Sequence, residues 1–438
     1  MRDIAFALFM LGTIPFILSR PYVGLLVWSW LGYMNPHRLC YGFAYSFPWV
    51  QSVAILTFLS LFFSQGRKKI PLTAAGMLLF LFLAWTGVTT IYAVAPNAAS
   101  EKFQEFLKVL VMVYVTFMLV NNRKRMHWLV WMIVLSLGFY GVKGGIFTFM
   151  KGGVYHVVGP PGSFIGDNNA LALALCMILP LMRYLQLSTT SKIVRVGLGA
   201  SMALTGIAVL GTYSRGGLIG LLIVGAALLL KSRRRIALVL ALATVGATAY
   251  HFMPPQWTAR MGTLQDATQV NSAETRIQSW KFAANVAVHH PLVGGGFDDY
   301  QNSSFWHTFA PEDARQRAIH SIYFRVLSEQ GFPGLLLFLA LLLVSWRSCS
   351  RVRKQAKDVP AQKWAYDLAS MLQVTLLAFM AAGAFLPMTY FDLSFQLMAL
   401  CALLEVHVRQ SIYESSLEHD GTNPAVLRAS ASHRFLPE

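Results

Sequence analysis

Apolar runs of about 17 to 25 residues recur along most of the chain, each closed by a short polar stretch. That length suits a helix crossing a hydrocarbon core roughly 30 Å thick, and the strand-period alternation of a membrane barrel is missing. Read from the C-terminal side, spans fall at 392–408, 364–386, 321–346, 236–252, 214–230, 196–212, 168–186, 128–150, 104–120, 71–93 and 50–65. The first 34 residues hold two shorter apolar pieces divided at Arg20-Pro21. They read as one net crossing, broken or bent where proline removes a backbone donor. The pattern predicts an all-α polytopic membrane protein with about twelve transmembrane helices and both termini on one side.

One hydrophilic interruption is long, at 253–320. Within it, Asn271-Ser-Ala-Glu274 is a capped start to a helix reaching His289 and stopped by Pro291. Pro311-Glu-Asp opens a second short helix, with acidic residues suited to its N-terminus, and Gly294-Gly-Gly-Phe-Asp-Asp299 is a turn. The other connections on the same side, at 35–49, 94–103, 151–167, 213–217 and 387–391, are short. The chain thus divides into an N-terminal membrane segment at 1–65, helices at 66–252, the large loop at 253–320, C-terminal helices at 321–408 and a polar tail at 409–438. No internal repeat is visible. Met1-Arg-Asp before an apolar run has the outline of a signal peptide, but it lacks a small-residue cleavage site and is read as retained.

Composition agrees with the pattern: 55% of the 438 residues are hydrophobic and 13% charged, with a mean hydropathy of +0.52. Soluble domains do not read this way. Charge then orients the spans. The net charge of +17 comes from 36 Lys and Arg against 19 Asp and Glu. The basic residues gather in short connections, at Arg67-Lys68-Lys69, Arg123-Lys124-Arg125, Lys231 with Arg233-Arg234-Arg235, and Arg347 to Lys363. That is the positive-inside signature of cytoplasmic loops, so the large loop is expected outside and the termini in the cytoplasm. A nucleic-acid partner is excluded, because no single basic face with reading elements is present. Cys40, Cys176, Cys349 and Cys401 lie too far apart to imply a disulfide framework or a metal site.

Arg215 sits in Gly211-Thr-Tyr-Ser-Arg-Gly-Gly217, a tight outer turn. An interfacial arginine that snorkels is the plain reading. The outer side is where the charge bias disfavours arginine, however, and flanking glycines would let an anionic group approach the backbone. A guanidinium fork suits a phosphate or diphosphate. His320 lies where the large loop enters the next span. The helix dipole there disfavours the imidazolium, leaving a neutral ring able to accept a proton. Arg276, Arg260, Arg315 and Arg317 could line a site for an anionic head group, though each could equally be solvated. Lys143 and Lys151 are weaker candidates of that kind. Arg325 and Glu329, four apart on one helix face, are read first as a structural pair. The Gly159 to Asn169 segment reads as a turn and helix cap. The glycine run at 294 lacks the Lys-Ser/Thr of a phosphate loop, and the adjacent Asp298 and Asp299 need not converge as a hydrolase pair.

Three segments taken together carry a resemblance. Ser-Arg-Gly-Gly at 214–217, the stretch from Arg276 to Phe297 with Trp280 and His-Pro-Leu-Val-Gly-Gly-Gly-Phe, and His320 to Gly334 resemble the O-antigen ligase and polymerase superfamily. The likeness covers roughly 160–400, and the superfamily's His-Asn-x-Tyr-Leu pattern stands here as His320-Ser-Ile-Tyr-Phe. Ser321 departs from it, which weakens any role for a neighbouring amide. Arg20-Pro21-Tyr and Trp-Ser-Trp-Leu-Gly-Tyr-Met-Asn-Pro36 look like the extra segment of ligase-like members. The resemblance implies a multi-pass enzyme of the bacterial inner membrane, needing no metal or other cofactor. It would move a glycan from undecaprenyl diphosphate to the lipid A core at the periplasmic face, with Arg215 and His320 in the site. A polymerase that extends glycans on the carrier lipid, or a protein O-glycosylating transferase, shares the same motifs. A secondary transporter or flippase ranks below these, since the distinctive charges gather in one outer loop and no repeated halves appear. The oligomeric state is not legible in the sequence.

Overall fold

The computed structural model describes residues 2–64, 70–231, 239, 246, 253–255, 257 and 271–419. Among them there is no strand. The helices are α1 (Arg2–Ser19), α2 (Pro21–Met34), α3 (Phe43–Ser46), α4 (Trp49–Phe63), α5 (Ala74–Ile91), α6 (Pro96–Leu119), α7 (Arg123–Met150) and α8 (Asn168–Ser188). They continue with α9 (Lys192–Gly211), α10 (Arg215–Lys231), α11 (Asn271–His289), α12 (Ser303–Phe309), α13 (Ile322–Ala356), α14 (Lys363–Gly383) and α15 (Asp392–His419). Seven of the described helices are long and apolar enough to span a membrane, while α4 is apolar but shorter. This is a multi-pass membrane protein. The expected span at 236–252 falls largely outside the described residues.

The start of the chain corrects the expectation of one broken crossing. Arg20 is extended, as a residue before proline must be, and Pro21 opens α2 at its first position, where a missing N–H costs nothing. The chain therefore reverses there, and α1 and α2 pack as an antiparallel hairpin: the rings of Phe6 and Phe9 lie 6.1 and 5.4 Å from Trp30. The Asp3 carboxylate accepts from the Gly42 amide at 2.8 Å, tying the start of α1 to the connection after α2. Residue 2 consequently lies at the same end as His320, and the two ends of the described chain are not on one side. Apolar side chains of α1 such as Leu8, Phe9 and Phe16 are exposed, as expected of a helix facing lipid.

Close helix approach is set by small residues. Along α7, Gly141 faces Thr205, Gly144 faces Ala208 and Gly145 meets the backbone of Leu204. One turn further, Gly211 of α9 faces Thr148. Bringing backbones together over glycine and threonine is how membrane helices gain packing when lipid is as apolar as the side chains. This seam fixes the end of α9, and with it the turn that carries Arg215. The middle of the bundle is formed by α8 and α14, whose side chains are largely buried.

The break in α13 organises the site end. Gly331 has φ 65° and ψ −171°, so the helix is interrupted, and Pro333 follows without an N–H to donate back to Glu329. The carbonyls freed on Ser328 and Glu329 accept instead from Gly295 (2.8 Å) and Gly296 (3.0 Å), while the Phe332 amide donates to Pro291 (2.9 Å). A side chain at Gly294 would strike the Ser328 carbonyl, and one at Gly331 the Leu292 carbonyl. The glycine run is thus more than a turn: it is the socket that holds the large loop on the broken helix.

Candidate functional site

The large loop folds over its own small core of Phe282, Val286, Trp306 and Ile319. α11 takes the bounds its sequence signals announce. The second helix does not start at Pro311. It is α12, capped by Asn302, whose side-chain oxygen accepts from the Phe305 amide at 3.0 Å. Residues from Pro311 onward run back along it without helix. Gln316 donates to the Tyr300 carbonyl at 2.7 Å, and the Trp306 indole donates to the Ala314 carbonyl at 3.2 Å. The segment is spent on covering Trp306, and this strap delivers Arg317 and His320 to the top of α13.

His320 precedes the cap of α13, since the Ser321 hydroxyl accepts from the Phe324 amide at 3.4 Å. Serine at this position therefore does what asparagine does, because both cap well. Trp280 fixes the backbone of His320 from α11: its indole donates to the His320 carbonyl at 3.2 Å, and its ring stacks on Phe324 at 5.2 Å. The ring nitrogen Nδ1 of His320 is buried and has no hydrogen-bond partner. Burial first, and then the positive charges of Arg276 and Arg317, pull the His320 pKa down to about 4, against the weaker opposing pull of Asp167. The causes of the lowered pKa are desolvation and the neighbouring arginines, and the helix dipole invoked from the sequence is not among them.

Asp167 shows how a second wall is placed. Its carboxylate caps α8, accepting from the amides of Asn169 (2.8 Å) and Ala170 (3.1 Å). Next to it, the Asn168 amide group donates to the Thr212 carbonyl at 2.7 Å, and the Ser214 hydroxyl donates to Asn169 Oδ1 at 2.8 Å. The turn before α10 is thereby docked on the start of α8, which puts half-buried Arg215 at the same end as His320. Tyr213 adopts a left-handed conformation there, and its hydroxyl donates to the Gly153 carbonyl at 2.7 Å.

The glycines beside Arg215 do not open the backbone to a ligand. Gly216 is closed by Leu386, and a Cβ on Gly217 would lie 2.6 Å from the Cβ of Ala172. They serve close packing of α10 against α8 and the connection that follows α14. Gly217→Ala should cost about 1–3 kcal/mol from overpacking. Adding Ala172→Gly in the same chain should recover much of it, as read by thermal unfolding in detergent.

Of the loop arginines, Arg276 and Arg317 act on the His320 ring, whereas Arg315 is exposed and does not figure among the charges that do. Arg317 Nε is buried without a hydrogen-bond partner. Arg260 lies outside the described residues. Arg317→Gln should therefore raise the His320 pKa, while Arg315→Gln leaves it unchanged, as read by NMR titration of the ring in each variant. Lys143 and Lys151 are not among the charges acting on His320.

Beneath the site lies a polar network that the sequence only half announced. Arg325 pairs with Glu329 at 2.8 Å as the spacing foretold, and it also pairs with Asp298. Tyr390 donates to Glu329 Oε2 at 2.6 Å, and the Asp298 amide donates to Glu329 Oε1 at 3.1 Å. Asp299 turns away to accept from the Ser328 hydroxyl, so the two aspartates do not converge. Burial and the nearby Glu329 push the Asp299 carboxyl up. The pairing of Asp298 and Tyr390 with this network had no distinguishing local signal, because their partners are remote in sequence.

Residues 1–190 match a family of unknown function. Residues 200–339, which hold Arg215, Arg276, Arg317, His320 and the broken helix, match the O-antigen ligase family. No curated protein matches the chain. Residues 200–339 thus form an O-antigen ligase family domain, which supports the O-antigen ligase and polymerase superfamily and suggests a role in glycan transfer at a membrane.

Proposed function

We propose that the protein is an O-antigen ligase of the bacterial inner membrane, transferring a glycan from undecaprenyl diphosphate to the lipid A core on the periplasmic face. The observation that carries this reading is the neutral His320 ring with Arg276 and Arg317 acting on it, within the residues that match the ligase family. The basic ends of α7, α9, α10 and α13 all lie opposite His320, and the positive-inside bias then favours an outward-facing site.

In the proposed reaction an acceptor sugar hydroxyl attacks the anomeric carbon of the donor. His320 takes the hydroxyl proton as the new C–O bond forms, and the bond from that carbon to the phosphate oxygen breaks, its electron pair leaving with the polyprenyl diphosphate. Arg215, Arg276 and Arg317 stabilise the charge that develops on the diphosphate. A single displacement inverts the anomeric centre. The energy is already in the sugar diphosphate bond, so no nucleotide enters.

The test is one of acceptors. Purified protein in vesicles receives a lipid-linked glycan together with lipid A core, a second glycan carrier lipid or an acceptor protein. Extension of the lipid A core alone supports ligation. Extension of the carrier glycan or of the protein instead reassigns the acceptor, and no extension of any acceptor removes the transfer reading.

A further inference from the structure

The end of the molecule opposite His320 has a cavity that glycan transfer does not use. Arg20 at the turn between α1 and α2, Ser64 at the end of α4, and Asn121 and Asn122 between α6 and α7 meet there around a space of about 800 Å³. Its floor is apolar, built from the partly or fully buried Val23, Leu26, Leu61 and Met118. Its rim is cationic, with Arg20, Lys124 and Arg125.

Arg125 is held in place for such a rim. Its Nη1 donates to the Leu119 carbonyl at 2.7 Å and to Asn121 Oδ1 at 3.2 Å, and the guanidinium lies 5.3 Å from the centre of the Tyr22 ring. Tyr22 in turn donates to the Arg125 carbonyl at 2.5 Å. No carboxylate pairs with Arg20, Lys124 or Arg125 among the described residues. Locally the sequence offers none, since no Asp or Glu occurs between Asp3 and Glu101 or between Glu105 and Asp167, and Asp3 is bound at the other end. A cavity whose rim is cationic and whose floor is apolar fits an amphiphile with an anionic head better than a free anion, which gains nothing from the floor.

We propose that this cavity binds one anionic phospholipid, its phosphate held by Arg20, Lys124 and Arg125 and its acyl chain laid against Leu26, Leu61 and Met118. The inference rests on the membrane placement and on the cavity, and is independent of the reaction proposed above. Native mass spectrometry of the full-length protein, released from vesicles of phosphatidylglycerol and phosphatidylcholine with identical acyl chains, tests it.

Wild-type protein should retain phosphatidylglycerol at least about tenfold more tightly than phosphatidylcholine. The exposed Arg20 and Lys124 can be changed without disturbing the core, and Arg20→Gln and Lys124→Gln should each weaken phosphatidylglycerol retention by about fivefold. Arg347→Gln with Lys354→Gln, at the same end but outside the cavity, should leave it unchanged. Equal retention of both lipids by the wild type, a preference untouched by Arg20→Gln and Lys124→Gln, or displacement of the lipid by excess inorganic phosphate would each overturn the proposal.

Discussion

Replacing His320 with alanine is expected to lower glycan transfer by about 10²–10⁴-fold, the range for loss of a positioned general base, while the protein still inserts and unfolds at its usual temperature. The side chain makes no hydrogen bond through its buried Nδ1, so its removal leaves no partner stranded. Full transfer activity in vesicles would end the assignment. The pH dependence supplies a second readout. The free ring is held at about 4 by burial and by Arg276 and Arg317. A bound diphosphate would place negative charge beside those arginines and favour the protonated ring, raising its pKa toward the working range. The acid limb of kcat should accordingly lie at higher pH than that of kcat/KM, and both limbs should vanish in His320→Ala. Identical limbs would mean that donor and ring do not share a site. The depressed pKa also has a cost in stability. The unfolded ring takes its proton below about 6.5 and the folded ring only near 4, so the stability held by the neutral ring is lost as pH falls through that window.

Replacing Arg325 with alanine is expected to destabilise the protein by about 3–5 kcal/mol, because it leaves Glu329 and Asp298 buried without their common cation. The loss should spread to the loop. Glu329 accepts from the Asp298 amide, and its own carbonyl accepts from Gly296, so the network and the glycine socket are one construction. In Arg325→Ala the loop should become sensitive to protease between Gly294 and Asp299 at temperatures where the wild type resists. Arg325→Met combined with Glu329→Gln and Asp298→Asn, which removes the charges together, should recover part of the stability. A single variant as stable as wild type would show that the pairing contributes nothing net.

Much of the fold was legible because membrane spans obey a local rule. A run of apolar residues of sufficient length crosses wherever it sits, and the bounds of α5, α8, α9 and α14 follow the apolar runs closely. The start and end of α11 were also readable, since Pro291 stops it and Asn271 opens it. Failures occurred where local signals compete with distant partners. Pro21 signals a break, but whether the chain bends or reverses depends on what α2 packs against, and α2 meets α4 closely where Gly24 faces Thr57. Pro311 with its acids has the composition of a helix start. It loses to Asn302 because the following residues are engaged in covering Trp306 and bonding to Tyr300.

The candidate site divides in the same way. Sequence alone supplied the residue types: a histidine at the mouth of a span, arginines on the outer side, and a glycine run read as a turn; the break at Gly331 inside the span at 321–346 was not read from it. It also supplied the pair Arg325 and Glu329, since four-residue spacing is enough to bring two side chains together on a helix. Only the tertiary structure decided that the charges of Arg276, Arg317 and Asp167 act on His320 while Arg315 is exposed, and that the space beside Gly216 and Gly217 is filled by neighbouring side chains. The physical reason is range. Hydropathy and capping act over a few residues and are written in order along the chain. Burial and electrostatic coupling depend on which segments meet, and that is fixed by the small-residue seams and the broken α13.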